Sequence, residues 1–449
     1  AMSAATPRLR IAAGSAYAGD DLRRARVAAE SGVDVMCFDR LAERTLAMAH
    51  ARQVSAGRGQ DEEIDEILAV SEAVLRRGGR VIGNFGAANV AAGLSDTVAA
   101  LRAMGLAGTT VGAIHGDDVT DLARRSDWEL PEFGGTTADL GDRLVAAHAY
   151  IGADLILSAL HAGAQVVIGG RLADPSLFVA PICAALDWAL DDWDRVATAT
   201  CVGHLLECGA HVTGGNFVDP PVRTLPDPHR LGVPIAEVYD DGVIVTKPAG
   251  TGGGVTVGTV KTQLLYEIHD PSSYVTPDVV ADFSTIRVEP AGPDRVRVGP
   301  AKGKARPDQL KVLVGVNLGW RVVAEISFGG LGCVDRARLA EDIVRRQLAD
   351  GAVPVDRLRA DLIGVDSLGR VGGGPNDRPP AEPREVRLRV AAICPQRDAA
   401  REVARAVDYL YLGPAGAGGA VSRVEPAIGV TPAYVDRTVV PTDVEVIKA

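Results

Sequence analysis

The chain has 449 residues, 47% apolar and 23% charged, with 47 Lys and Arg against 58 Asp and Glu, a net charge of −11. That length holds two domains or one large one, and the acidic balance argues against a nucleic-acid or anionic-membrane surface, which needs clustered Lys and Arg. Six scattered cysteines form no CxxC pair, and the opening "AMSAATPRLR" shows no secretory signal, so reduced thiols in the cytoplasm are expected.

In chain order, "LRIAAGS" (9–15) reads as a strand and 20–31 as a helix opened by Asp20. "VDVMCFD" (33–39) is a second strand, followed by helices near 41–53 and 61–77. "RVIGNFG" (80–86), a helix near 91–104, "TTVGAIHG" (109–116) and "AQVVIGG" (164–170) continue the alternation. The most apolar stretch, 149–170, is interrupted by Asp154, His161 and Gln165 and reads as a buried helix plus strand, not a membrane span. Short apolar runs alternating with amphipathic helices predict an α/β region with a mostly parallel sheet and flanking helices over 8–234. Periodicity leaves open whether that sheet is open or a barrel.

The five prolines of "DPPVRTLPDPHRLGVP" (219–234) mark the expected domain boundary. Beyond it, "AEVYDDGVIVTK" (236–247) is a hairpin signal. "RVRVG" (295–299), "LKVLVGVN" (310–317), "WRVVAEISFGG" (320–330) and "EVRLRVAAI" (385–393) are strands, with helices near 335–350 and 397–411. An α+β domain over 235–448 is expected, with a mobile loop at 371–385.

The early strands end in polar, glycine-containing loops, which a parallel sheet gathers at one edge, where α/β proteins bind ligands. The binding candidates are Asn84, Asn89, Asp117 and Arg171, with Asp20, Asp118 and Asp174 beside them; for Asp174 alone, capping the next helix is the expected role. Neither GxGxxG nor a Walker A motif is present. Cys201, His204, Cys208 and His211 share a helical face, but the ends of that face lie roughly 15 Å apart at 1.5 Å per residue, too far for one zinc ion with bonds of about 2 Å. No metal ligand set is therefore named. His204 and Glu207, three apart, form the candidate catalytic acid/base pair. Cys208, beside a glycine on an apolar face, reads as buried and inert.

"KPAGTGGGVTVGTVKTQLLYEIHDP" (247–271) places Gly252, Gly253 and Gly254 ahead of a helix, flanked by Lys247 and Lys261, two of only six lysines against 41 arginines. Glycine-rich backbone and a helix start make an anion cradle, here for a phosphate or carboxylate.

"GNFGAAN" (83–89), "GGRLADPSLF" (169–178), "GHLLECGAHVTGGNF" (203–217), "LGVPIAEV" (231–238) and the long run from Lys247 to Ser284 closely resemble the acyclic terpene utilisation protein family, AtuA. "LAERTLA" (41–47) and "GPAGAGG" (413–419) agree, and the resemblance covers about residues 8 to 448. It depicts a member with the main domain only, without the extra C-terminal ferredoxin-like domain of longer relatives. It implies a cytoplasmic enzyme of branched-terpenoid catabolism, a lyase acting on a branched acyl-CoA or 3-hydroxy-acid thioester by hydration/dehydration or C–C cleavage. A CoA thioester is then the substrate, no cofactor is tightly bound, and a homo-oligomer such as a dimer is expected. The competing reading is a non-catalytic scaffold subunit for acyl-CoA carboxylases or hydratases.

Overall fold

The computed structural model describes residues 6–368 and 383–449. Of the loop expected at 371–385, all but the last three residues lie outside this range. The early apolar runs fold as β1 (Leu9–Ser15), β2 (Val35–Phe38), β3 (Arg80–Gly83) and β4 (Thr110–His115). A strand without a clear sequence signal, β5 (Leu144–Ala149), precedes β6 (Val166–Gly169). The hairpin signal gives β7 (Ile235–Tyr239) and β8 (Gly242–Thr246).

The short strands β9 (Tyr274–Val275), β10 (Val280–Asp282), β11 (Val288–Gly292), β12 (Arg295–Val298) and β13 (Lys302–Lys304) follow. The chain then forms β14 (Gln309–Gly329), β15 (Arg357–Ile363), β16 (Glu385–Cys394), β17 (Ala417–Asp436) and β18 (Asp443–Lys448).

The large sheet is open, with ten strands in the order β11-β12-β8-β7-β1-β2-β3-β6-β4-β18. Its centre, β1-β2-β3-β6-β4, is parallel. These strands are buried along nearly their whole length, which explains their continuous apolar runs. Helices Leu22–Glu30, Ile64–Val70 and Val90–Ala103 pack on the sheet through Ala25, Ala28, Ile67, Leu68, Leu94 and Leu101. The first of them is capped by Asp21, whose carboxylate accepts from Arg23 N, not by Asp20 as the sequence suggested. The expected helix over 61–77 breaks in two at Ser71, whose hydroxyl donates to the Ile67 carbonyl.

The chain divides into two compact units, one of residues up to 315 together with 430–449, the other of residues 316–429. The boundary expected at 219–234 does not separate them. Beyond that proline-rich stretch, β7 pairs antiparallel with β1, Ile235–Val238 against Leu9–Ala12, so residues on both sides of it build one sheet. Prolines there break secondary structure without ending the core.

The second unit orders its strands β15-β16-β14-β17, and the chain runs strand, helix, strand, strand, helix, strand. That is the ferredoxin-like split βαβ arrangement, found here inside the main body of the chain. Ala337, Val344 and Leu348 of the helix Cys333–Asp350, and Ala400, Val403 and Val407 of the helix Arg397–Asp408, pack on the sheet face formed by Val322, Ala324, Ile326 and Phe328. The two strands expected at 310–317 and 320–330 are one, β14, with Gly319 at φ +95° between them.

Candidate active site

The five parallel strands bring their C-terminal ends to one edge of the sheet. There the loops after β1, β2 and β6, the end of the helix Trp193–Glu207, Tyr150, Tyr266 and Lys311 surround a cavity of about 1000 Å³. All of these residues belong to the first unit.

Three carboxyl groups meet in the cavity. Asp39 stands just past β2, Asp174 follows β6, and Glu207 closes its helix; one oxygen of each lies within 4.8 Å of the others. Burial, followed by the negative charge of Asp174, pushes the Asp39 pKa up to about 7, against the pull of Arg171 and Asn84. Burial, then the charges of Asp174 and Asp39, hold Glu207 well above the usual carboxyl range. Such a cluster retains protons at neutral pH because three charges this close cannot all be ionised without a large cost.

Arg171 supplies the local countercharge. Its guanidinium is buried, donates to the carbonyls of Leu41 (2.9 Å) and Leu172 (2.7 Å), pairs with Asp174, and stacks 4.7 Å from the Tyr150 ring centre. A buried guanidinium is tolerated when its donors are met in this way. Its backbone N–H donates to Asp117 Oδ2 at 2.8 Å. Gly170 makes that approach possible, since a Cβ there would lie 2.3 Å from the same oxygen. At the rim, Lys311 Nζ donates to Glu43 (2.6 Å) and lies 5.0 Å from the Tyr150 ring centre, while Tyr150 Oη donates to Glu43 at 2.8 Å.

Of the residues chosen from the sequence, Asn84, Asp117 and Arg171 do come together at this edge, but only Arg171 lines the cavity. Asn84 lies one layer behind, donating to Asp39 Oδ1 (2.7 Å) and accepting from Arg40 N (2.6 Å), so it orients Asp39. Asp117 anchors the Arg171 loop. Asn89 points elsewhere: it caps the helix Val90–Ala103 through Ala92 N and donates to Gln53. Asp174 is not a helix cap, because the helix Ser176–Leu186 starts at Pro175 with no side-chain cap bond.

The His204–Glu207 pair is divided. Glu207 lines the cavity and accepts from the Cys208 thiol, whereas His204 is buried behind it, between Tyr274 and Phe283. His204 Nε2 donates to the Gln263 carbonyl (2.9 Å), and burial lowers its pKa to about 4. Nδ1 is left without a hydrogen-bond partner, 3.7 Å from Glu207 Oε1. Among the described residues no three of Cys201, His204, Cys208 and His211 bring ligand atoms within 4.8 Å of one another; the helix ends at Glu207, and His211 sits in the following 3-10 turn.

The glycine loop has a different role from the one its sequence suggested. The N–H groups of Gly252, Gly253 and Gly254 donate to the carbonyls of Arg230, Pro226 and Thr213, at 2.7, 2.7 and 2.9 Å. None of these three donors is left for an anion. The Lys247 side chain is buried, donates to the Thr251 carbonyl (2.8 Å) and pairs with Asp294. Lys261 is exposed on the helix Val257–Leu264 and takes no part in the cavity. Here glycine serves close backbone packing: Gly253 has φ +75°, and a Cβ would meet the Thr213 oxygen at 2.3 Å.

Sequence reasoning missed Asp39, Tyr150, Glu43 and Lys311 as site residues. Asp39 had a signal, a carboxylate ending a predicted parallel strand. Tyr150 and Lys311 had none, because they meet only where β5 pairs with β14, with Tyr150 N donating to the Lys311 carbonyl at 2.9 Å.

Among the described residues, no helix is long and apolar enough to cross a membrane. No curated protein and no solved structure matches the chain. The profile of the family described as "Acyclic terpene utilisation family protein AtuA" matches residues 9–446, which takes in every cavity residue above. The chain belongs to the acyclic terpene utilisation (AtuA) family.

Proposed function

We propose that the chain is a lyase that moves protons on a branched, terpenoid-like acyl-CoA or 3-hydroxy-acid thioester, by hydration/dehydration or by C–C cleavage. The observation that carries this reading is the proton-retaining Asp39–Glu207 pair facing an Arg171-paired Asp174 in one cavity. Acid/base catalysis needs a carboxyl that holds a proton beside a second group placed to take one. In dehydration, the Asp174 carboxylate takes the proton α to the thioester carbonyl, and the Asp39 or Glu207 carboxyl protonates the departing hydroxyl, which leaves as water. Lys311, with donors to spare beyond Glu43, stabilises the enolate-like oxygen. Asn84 keeps Asp39 aimed, and His204 backs Glu207 as a positioning residue. The anionic end of the substrate is not assigned to the 252–254 loop, whose N–H groups are already used.

The test is mass spectrometry of a panel of branched acyl-CoA and 3-hydroxyacyl-CoA thioesters incubated with the wild type and with Asp39→Asn and Glu207→Gln. Gain or loss of water, or two fragments, abolished in both variants, is the expected result. An unchanged panel, together with co-purification with an acyl-CoA carboxylase, would replace this reading by the scaffold one.

A further inference from the structure

A second cluster lies away from the cavity lining. His50, on the helix Glu43–Ala56, and His148, on β5, are both buried, and His50 Nδ1 faces His148 Nε2 at 3.1 Å. Asp118, just past β4, brings Oδ2 to 3.6 Å from the same His50 nitrogen. One ligand atom from each of the three residues lies within 4.8 Å of the others.

We propose that His50, Asp118 and His148 bind one divalent transition-metal ion of the zinc class. In a tetrahedral site with bonds of about 2.0–2.1 Å, ligand atoms stand about 3.3 Å apart; the two separations above bracket that value. Two of the three ligands are also held by a partner that leaves a lone pair aimed inward, and the third, His50, gives up the Nδ1 proton that it donates to His148 Nε2 when the ion binds. His148 Nδ1 donates to Asp117 Oδ2 at 3.0 Å, which fixes Nε2 as the bare nitrogen, the carboxylate–histidine support common to metal sites. Asp118 Oδ1 accepts from the Thr120 N–H (3.0 Å) and hydroxyl (2.6 Å), turning Oδ2 toward His50. The backbone is pinned as well, by a bridge between Asp118 and His148 and by Ala149 N donating to the Asp117 carbonyl at 2.7 Å.

Two imidazoles and a carboxylate suit zinc, iron(II), cobalt or nickel, not magnesium or calcium. Asp118 is partly exposed, with 45% of its side chain accessible, so an ion can enter and keep a coordination position open to solvent. The Asp117 carboxylate that supports His148 also accepts the Arg171 N–H, so a bound ion would stiffen the loop that carries Arg171.

The experiment uses tag-free, full-length protein stripped with a chelator and titrated with Co²⁺ and then Zn²⁺, read by calorimetry and by the visible absorption of tetrahedral Co²⁺. One ion per chain is expected, with Zn²⁺ displacing Co²⁺. Asp118→Asn and His50→Ala should weaken binding by more than about 100-fold, and Asp117→Asn by about 10- to 100-fold, the usual effect of a supporting residue. An Asp39→Asn/Glu207→Gln double variant should bind like the wild type. Circular dichroism checks that each variant is folded, and the partly exposed Asp118 is the least disruptive change. No stoichiometric uptake by the stripped wild type overturns the proposal. So does uptake that survives both ligand variants, or uptake lost only in the double variant, which would place the ion on the cavity carboxylates.

Discussion

Replacing Asp39 by asparagine should make the protein more stable at alkaline pH and at the same time inactive. The folded-state pKa of Asp39 is about 7, against an ordinary value of 3.8. Between those values the folded chain keeps a proton that the unfolded chain has released, so stability falls as pH rises from about 4 to about 7 and stays reduced above. At ~1.36 kcal/mol per pH unit, the full penalty at pH 8 is on the order of 4 kcal/mol. Charge is shared with Asp174 and Glu207, so relief at one carboxyl passes partly to the others, and a gain of about 1 to 4 kcal/mol is expected. Asparagine retains the oxygen that accepts from Asn84 Nδ2 and Leu41 N, so packing is preserved. The assay is urea unfolding at pH 5 and pH 8, followed by tryptophan fluorescence; Trp128, Trp188 and Trp193 all report on the unit that contains the site. The gain should be large at pH 8 and small at pH 5, and, under the proposed function, turnover of the thioester should fall by about 10²- to 10⁴-fold. A variant no more stable than the wild type at pH 8, or a gain equal at both pH values, would refute the assignment of Asp39 as a strained, proton-holding carboxyl.

Three further outcomes follow from the geometry. Gly253→Ala, at φ +75° with the Thr213 oxygen 2.3 Å from the new Cβ, should destabilise the fold by roughly 1–3 kcal/mol, read as a lowered melting temperature. Lys261→Ala, at an exposed position outside the cavity, should leave the affinity for the proposed thioester substrate unchanged in a calorimetric titration; a tenfold loss would restore a binding role for that lysine. The Cys208 thiol is held far above its ordinary pKa by burial and by Glu207, so it should resist iodoacetamide at neutral pH in intact-mass measurements while the unfolded chain is alkylated.

The α/β architecture was legible because it is encoded locally. A run such as "VDVMCFD" or "TTVGAIHG" is apolar throughout, since a parallel strand covered on both faces has no solvent side, and the residues after it are polar because they emerge at the sheet edge. That rule placed Asn84, Asp117 and Arg171 at one edge, and the hairpin at 236–247 followed from its Asp-Gly turn. Tertiary structure decided what pairing between distant segments determines. The proline-rich stretch at 219–234 looked like a boundary, yet β7 beyond it hydrogen-bonds to β1, a partner that local composition cannot report. The glycines at 252–254 looked like an anion cradle, but a free N–H and one given to the carbonyl of Pro226 have the same sequence. His50, Asp118 and His148 gave no ligand spacing because they arise from a helix, a loop and an unrecognised strand, and their separation is fixed only by packing. The protonation of Asp39 and Glu207 was equally out of reach: a carboxyl pKa depends on burial and on which charges lie within a few ångströms, and both are properties of the folded chain.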